Sequence, residues 1–488
     1  MKKLLRIINY PFFYPVSFFF YGLLYLTLGE QLPANNGLGW DGVTYACITE
    51  NLLNCNRLDF YLIFRIIPSF IVHYGIQIFS VQMNVQNILL GFEILNLVSV
   101  FTGIIFMKKI FDLFNIVNRV RHLGFILLII NYFILKFIFY YPVLTDSFGF
   151  SVTISLLYFY FSKNQTLTLI TTLVAAFSWP LAFYFGIFFL LFPYNERGIV
   201  KEYSTYKIIP YLTSSAGIFA AWFIIIYKDM GVKYQYVLLI DNPLLPISAW
   251  WCGIMFYGIG MLISREVYFK LSFINQIIRY DNFILATVTY FFVQYLGKYL
   301  NYSNVESEYS GAKHLLTIAM RNGMAEPAVN MVAHISFFGT VGILALLYWN
   351  KLVKASYELG FGFTAALTLS LLLFLMHSES RILISIFTLI VFLLVFALRN
   401  EKFSKAKIVF IGVLNFLISK VWLTVDYNLQ SGNIDEYGGI GFPNQKFFMH
   451  LGSWMSKDIW LLQLICYTLI AVFVYFKFVK STIKTFKL

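Results

Sequence analysis

Charged residues are scarce in this chain: Asp, Glu, Lys and Arg make up 12% of 488 residues, and only 23 are acidic. Soluble domains typically carry about 25% charge, so a string of soluble domains is excluded. No polar stretch between the apolar runs is long enough to hold a soluble core. Cysteine is also rare. The four cysteines form no CxxC pair and no His/Cys set with zinc spacing, which excludes a structural metal and a disulfide framework. Cys252 and Cys466 lie in apolar runs and read as small core residues, whereas Cys47 and Cys55 share one polar stretch. A disulfide is open to that pair if the stretch faces an oxidising compartment. There is no internal repeat and no low-complexity linker, and no small-residue cleavage site follows the basic N-terminus. The first apolar run therefore reads as a retained helix.

Apolar residues fill the rest: 59% hydrophobic, 20% aromatic, with a mean hydropathy of +0.74. These values predict an all-α, polytopic transmembrane protein with 1–488 as a single integral membrane domain. A span-length window gives about 12–14 spans. They are expected at 12–29, 86–107, 123–141, 148–162, 166–178, 180–193, 208–227, 247–264, 282–297, 330–349, 355–376, 382–398, 408–424 and 459–477. With the N-terminus inside, alternate loops hold about two-thirds of the 36 basic residues, the positive-inside pattern. Both termini are then cytoplasmic, as in a bacterial inner membrane. The net charge of +13 is scattered in short clusters, so no nucleic-acid partner is expected. Most acids fall on the outer side. There the sequence places a first outer loop at 30–83, a late outer loop at 425–458, and outer segments at 228–246 and 298–329. Residues 60–80 are apolar but contain Arg65, Pro68 and His73, and are read as a helix lying in the interface.

The first outer loop opens with Trp40-Asp41-Gly42-Val43-Thr44-Tyr45, and Phe64-Arg65-Ile66-Ile67-Pro68 follows. An aromatic-Asp-Gly-x-x-Tyr turn ahead of an interfacial helix with Arg and Pro resembles the GT-C class of integral membrane glycosyltransferases. The resemblance covers some thirty residues plus the span pattern. It implies a polyprenyl-phosphate-linked sugar donor, a glycan or lipid-linked acceptor on the outer face, and a catalytic acid in this loop. It also implies a second acid at the outer end of the third or fourth span, where Asp146 stands in Thr145-Asp146-Ser147.

The residue types suit that chemistry. Glycosyl transfer needs a base for the acceptor hydroxyl and positive charge for the departing phosphate. Asp41 is the candidate base, with Gly42 expected to let the backbone turn, and Asp146 is its candidate partner. Arg65, Arg321 and Arg381 are the outer-face arginines that could hold phosphate. His377, Glu379 and Arg381 form a cluster between two apolar spans, and Tyr45 closes the motif; all are counted as substrate-binding candidates. Structural alternatives stand beside these roles. Asp41 and Asp146 could cap the helices expected from Val43 and Phe148, and Glu379 and Arg381 could be an ion pair that merely joins two helices. Trp179-Pro180 reads as a helix break. Two carboxylates could hold a divalent cation, but they do not demand one, so no cofactor is assigned. A polysaccharide polymerase or ligase is the first functional alternative. A lipid-linked-sugar transporter or flippase is the second, and Lys136 and Glu93 are its clearest midspan charges.

Overall fold

The computed structural model describes residues 12–32, 34–194, 204–226, 244–269, 279–301, 326–377, 379–424 and 457–479. Among these residues every regular element is helical and none is a strand. In chain order the main helices are α1 (Phe13–Leu28), α2 (Asp41–Asn51), α3 (Ile66–Ile78), α4 (Val85–Leu113), α5 (Asn118–Ile129) and α6 (Phe133–Tyr140). They continue with α7 (Asp146–Phe161), α8 (Gln165–Ala176), α9 (Pro180–Leu191), α10 (Ile209–Ile226), α11 (Leu245–Ile263) and α12 (Tyr280–Leu300). The last are α13 (Val329–Phe338), α14 (Val341–Leu347), α15 (Trp349–Glu358), α16 (Phe361–Met376), α17 (Ile384–Ala397), α18 (Lys405–Ser419) and α19 (Lys457–Val474).

Helices therefore occupy all fourteen expected span positions. Four of them, within 85–113, 246–263, 380–397 and 457–477, are each long and apolar enough to cross a bilayer. A fifth span results if α5 and α6, bent by 53° at their junction, are taken together. The chain is thus a helical membrane protein, and most of its other apolar helices are shorter. Two further expected spans are broken. Segment 330–349 divides at Gly339 (φ +72°), and segment 355–376 starts as the amphipathic α15, with α16 beginning after Gly360 (φ +94°). Both glycines adopt a backbone that L side chains disfavour, so the helix cannot run through.

The chain forms two compact units. Unit 1 contains α1 to α9 and α12. Its centre is the packing of α4 on α7, where Gly103 lies against the Phe150 ring; a Cβ there would come within 2.7 Å of it. Small residues at such crossings let apolar helices approach closely. Asn84 and Asn164 start α4 and α8 by accepting from Asn87 N and Leu167 N, and Pro180 starts α9 as the sequence expects. Unit 2 contains α10, α11 and α13 to α19. Its central helix is α17, in which Ile384 to Phe396 are all buried.

Unit 1 also accounts for the midspan charges. Lys136 pairs with Glu30 at 2.7 Å, and Glu93 accepts from Gln31 Nε2 at 2.5 Å. Two adjacent residues beyond the end of α1 therefore satisfy both groups.

Candidate functional site

The candidate site is built at the start of α2. Gly37 (φ +93°) and Gly39 (φ +62°) form the turn that leads into this helix. Gly42, expected to provide the turn, is instead helical; its lack of a side chain admits Val143, which a Cβ would meet at 3.2 Å. Gly39 has a second constraint, because a Cβ there would come within 2.5 Å of the Tyr141 ring. The Tyr141 hydroxyl fills the space beside it and accepts from Trp40 N at 2.9 Å and Gly42 N at 3.2 Å. A side chain a hundred residues away thus satisfies two amides at the N-terminus of α2.

Asp41 is not the N-cap of this helix. The N-cap is Trp40, with no side-chain cap bond, and Asp41 is the first helical residue, exposed to solvent. Asp146 repeats the arrangement in buried form: its N-cap is Thr145, again without a side-chain cap bond, and Asp146 opens α7 at 2% exposure. Each carboxylate therefore sits in the first turn of a helix, where the helix dipole favours negative charge.

Arg65 bonds α2 at Tyr45 and feels the charge of Asp146. It lies ahead of α3, and its guanidinium carbon is 4.7 Å from the Tyr61 ring centre and 4.9 Å from that of Trp179. Its Nη1 donates to the Tyr45 hydroxyl at 3.4 Å, one helical turn after Asp41, while its buried Nε has no hydrogen-bond partner. Burial works against the cation, but Tyr61, Tyr45 and the Asp146 carboxylate favour it and together hold the guanidinium above its ordinary pKa. The aromatic faces add cation–π attraction, worth about 2 kcal/mol or more when desolvated.

Surrounding contacts hold these groups in place. Ser69 Oγ donates to Tyr45 O at 3.3 Å, and His73 Nδ1 donates to Thr49 O at 2.6 Å, joining α2 to α3. Asn96 of α4 donates to Ile138 O at 2.7 Å and Pro142 O at 2.8 Å, and accepts from the Ser147 hydroxyl next to Asp146. Trp179 packs on Gly149, one turn beyond Asp146, and its buried Nε1 has no partner. Cys47 and Cys55 form a disulfide that ties the last turns of α2 to the following loop.

Of the sequence candidates, Asp41 and Tyr45 share α2, Arg65 bonds Tyr45, and the Asp146 charge acts on Arg65. Arg321 lies outside the described residues. His377, Glu379 and Arg381 belong to unit 2, where they form a closed turn. Arg381 Nε donates to Glu379 at 2.6 Å, Glu379 N donates to His377 Nδ1 at 2.9 Å, and Ser380 Oγ meets His334 Nδ1 at 2.9 Å. Tyr141, Trp179 and Asn96 were not singled out for the site from the sequence. Tyr141 and Trp179 each precede a proline, which is their only sequence signal, and Asn96 stands inside the apolar run 86–107 with none. Among the described residues no three His, Cys, Asp or Glu side chains gather as a metal-binding set. Comparison with known proteins finds no matching family model, curated protein or solved structure.

Proposed function

We propose that this protein is a membrane glycosyltransferase that moves a sugar from a polyprenyl-phosphate-linked donor to a glycan or lipid-linked acceptor on the outer face, in cell-envelope glycan synthesis. The observation that carries the reading is a buried, incompletely bonded guanidinium held by the Tyr45 hydroxyl, on the same helix α2 that the exposed Asp41 opens one turn earlier. Asp41 takes the proton of the acceptor hydroxyl as its oxygen bonds to the anomeric carbon of the sugar. The bond from that carbon to the phosphate oxygen breaks, and the electron pair leaves with the phosphate. Arg65 offers its open Nε to the oxygen that gains charge. Asp146 favours the cationic guanidinium from the buried side and positions it. The transporter alternative loses support because both midspan charges have partners within unit 1.

The test is sugar transfer by membranes carrying the wild type or Asp41→Asn at matched protein levels. A positioned base contributes about 10²- to 10⁴-fold, so transfer should fall by at least the lower figure. Wild-type activity in Asp41→Asn would overturn the assignment.

A further inference from the structure

Unit 2 contains a second arginine with unmet hydrogen-bonding capacity, remote in sequence from the motif and independent of the proposed reaction. Arg265 follows the C-terminus of α11, in a short antiparallel bridge with Thr205. Tyr206 N donates to Ser264 O at 2.8 Å and Glu266 N donates to Ser204 O at 3.0 Å, so its backbone is held on both sides. Its guanidinium carbon lies 4.6 Å from the ring centre of Tyr357. That ring is itself fixed, because its hydroxyl donates to Met261 O at 2.7 Å and Leu262 O at 3.0 Å at the end of α11. The Nε and Nη1 atoms of Arg265 are shielded from solvent and have no hydrogen-bond partner.

The acids of α15 and of the loop after α17, Glu358 and Glu401, are already paired. Lys351 pairs with Glu401, and Arg399 pairs with Glu358 at 2.6 Å. Glu266, next in sequence to Arg265, accepts from the Ser204 hydroxyl. The Tyr357 stack and the negative end of α11 account for a cation at this place. They do not account for two shielded donors, each of which is costly when unmatched. Nε and Nη1 each share an edge of the guanidinium with Nη2, so either edge can hold two oxygens of a tetrahedral oxyanion. The residue is only half-buried, which leaves a route for such a group.

The depth of Arg265 indicates the kind of oxyanion. Pro246–Ile263 is one of the four span-length apolar helices; its 18 residues cover about 27 Å, close to a bilayer's hydrocarbon thickness. A residue just past its end lies at headgroup level. The exposed side chains of Tyr206, Ile208 and Phe269 surround this end, as expected at an interface. We propose that Arg265, backed by Tyr357, is a phosphate-binding site that takes the headgroup phosphate of an anionic lipid.

Thermal unfolding of the full chain in neutral detergent tests this. Phosphatidylglycerol, a neutral diacylglycerol and inorganic phosphate, the last matched in ionic strength with chloride, are each titrated in. Phosphatidylglycerol should raise the wild-type Tm by several degrees and diacylglycerol should not. Arg265→Gln should bind phosphatidylglycerol at least tenfold more weakly, and Arg265→Lys should retain part of the shift. A shift with inorganic phosphate alone would keep the site but make its ligand a free oxyanion. Equal shifts with diacylglycerol, no shift with either phosphate, or an undiminished shift in Arg265→Gln would overturn the proposal. If Arg265→Gln does not fold, native mass spectrometry of the wild type decides: preferential retention of phosphatidylglycerol over diacylglycerol supports the site, and equal retention removes it.

Discussion

Arg65 of unit 1 and Arg381 of unit 2 both stand at a turn before an apolar helix, and sequence alone treats them as equals. The structure separates them. Arg381 is bonded to Glu379 two residues away, inside a turn whose histidine and serine groups are also engaged. Arg65 stacks against aromatic faces, makes one long hydrogen bond to a tyrosine, and keeps a buried Nε unmatched. An arginine neutralised by its own neighbour contributes to shape, whereas one held by aromatic rings retains donors for an incoming anion. The presence of acid within bonding distance therefore discriminates better than position along the chain.

The largest expected effect follows from that contrast. Arg65→Gln should reduce sugar transfer by about 10²-fold or more, the loss typical when a charge-stabilising donor is removed. Arg381→Gln should leave the rate per folded molecule near wild type and act mainly on yield. Transfer rates normalised to folded protein would decide, and the reverse ranking would put the reacting centre in unit 2.

The disulfide tests whether the α2 region needs a covalent brace that the unit 2 turn does without. Closing an eight-residue separation is worth about 2.5 kcal/mol by chain entropy. Cys47→Ser should therefore lower the unfolding temperature and make the α2 region more sensitive to protease. Mass mapping without reductant should recover the Cys47–Cys55 linked peptide. A wild-type protein that gives only free thiols at both positions would remove the brace.

A smaller effect is expected at Tyr141. Tyr141→Phe keeps the ring that contacts Gly39 but removes the acceptor for Trp40 N and Gly42 N, at about 1–3 kcal/mol if neither amide finds water. Because the change misplaces Asp41 without touching it, the turnover rate should drop more than donor binding weakens. Unchanged turnover would show that the start of α2 holds its geometry without this staple.

How far the sequence revealed these features depends on the range of the forces involved. Helix positions were legible because apolar runs between polar breaks are a local signal, and the Pro180 start of α9 was read correctly. The breaks at Gly339 and Gly360 were not, since a glycine inside an apolar run looks the same whether its φ is negative or positive. Asp41, Tyr45, Arg65 and Asp146 were picked out by residue type. The contacts that Tyr141, Trp179 and Asn96 make around them were invisible because each spans about forty residues or more of chain. Trp179 is instructive: the helix break was read from the following proline, but the destination of the ring depends on Gly149 leaving room for it.

Glu326 extends the comparison to pH, with the smallest expected effect. This unit 2 carboxyl is 6% exposed, and its Oε2 has no hydrogen-bond partner. Burial pushes its pKa up to about 7, with Lys457 pulling weakly the other way. An unfolded glutamate titrates near 4.3. The folded state therefore favours the protonated form. Its stabilising contribution is fully present below about pH 4.3 and is lost as pH rises through about 7, because only the unfolded chain releases the proton easily. Arg65 in unit 1, held above its ordinary pKa, stays charged throughout this window. The unfolding temperature of the wild type should fall between pH 5 and pH 7.5 by more than that of Glu326→Gln, which cannot ionise. Parallel pH profiles for the two proteins would mean that Glu326 is already ionised in the fold, and the pH response of unit 2 would then have to come from another group.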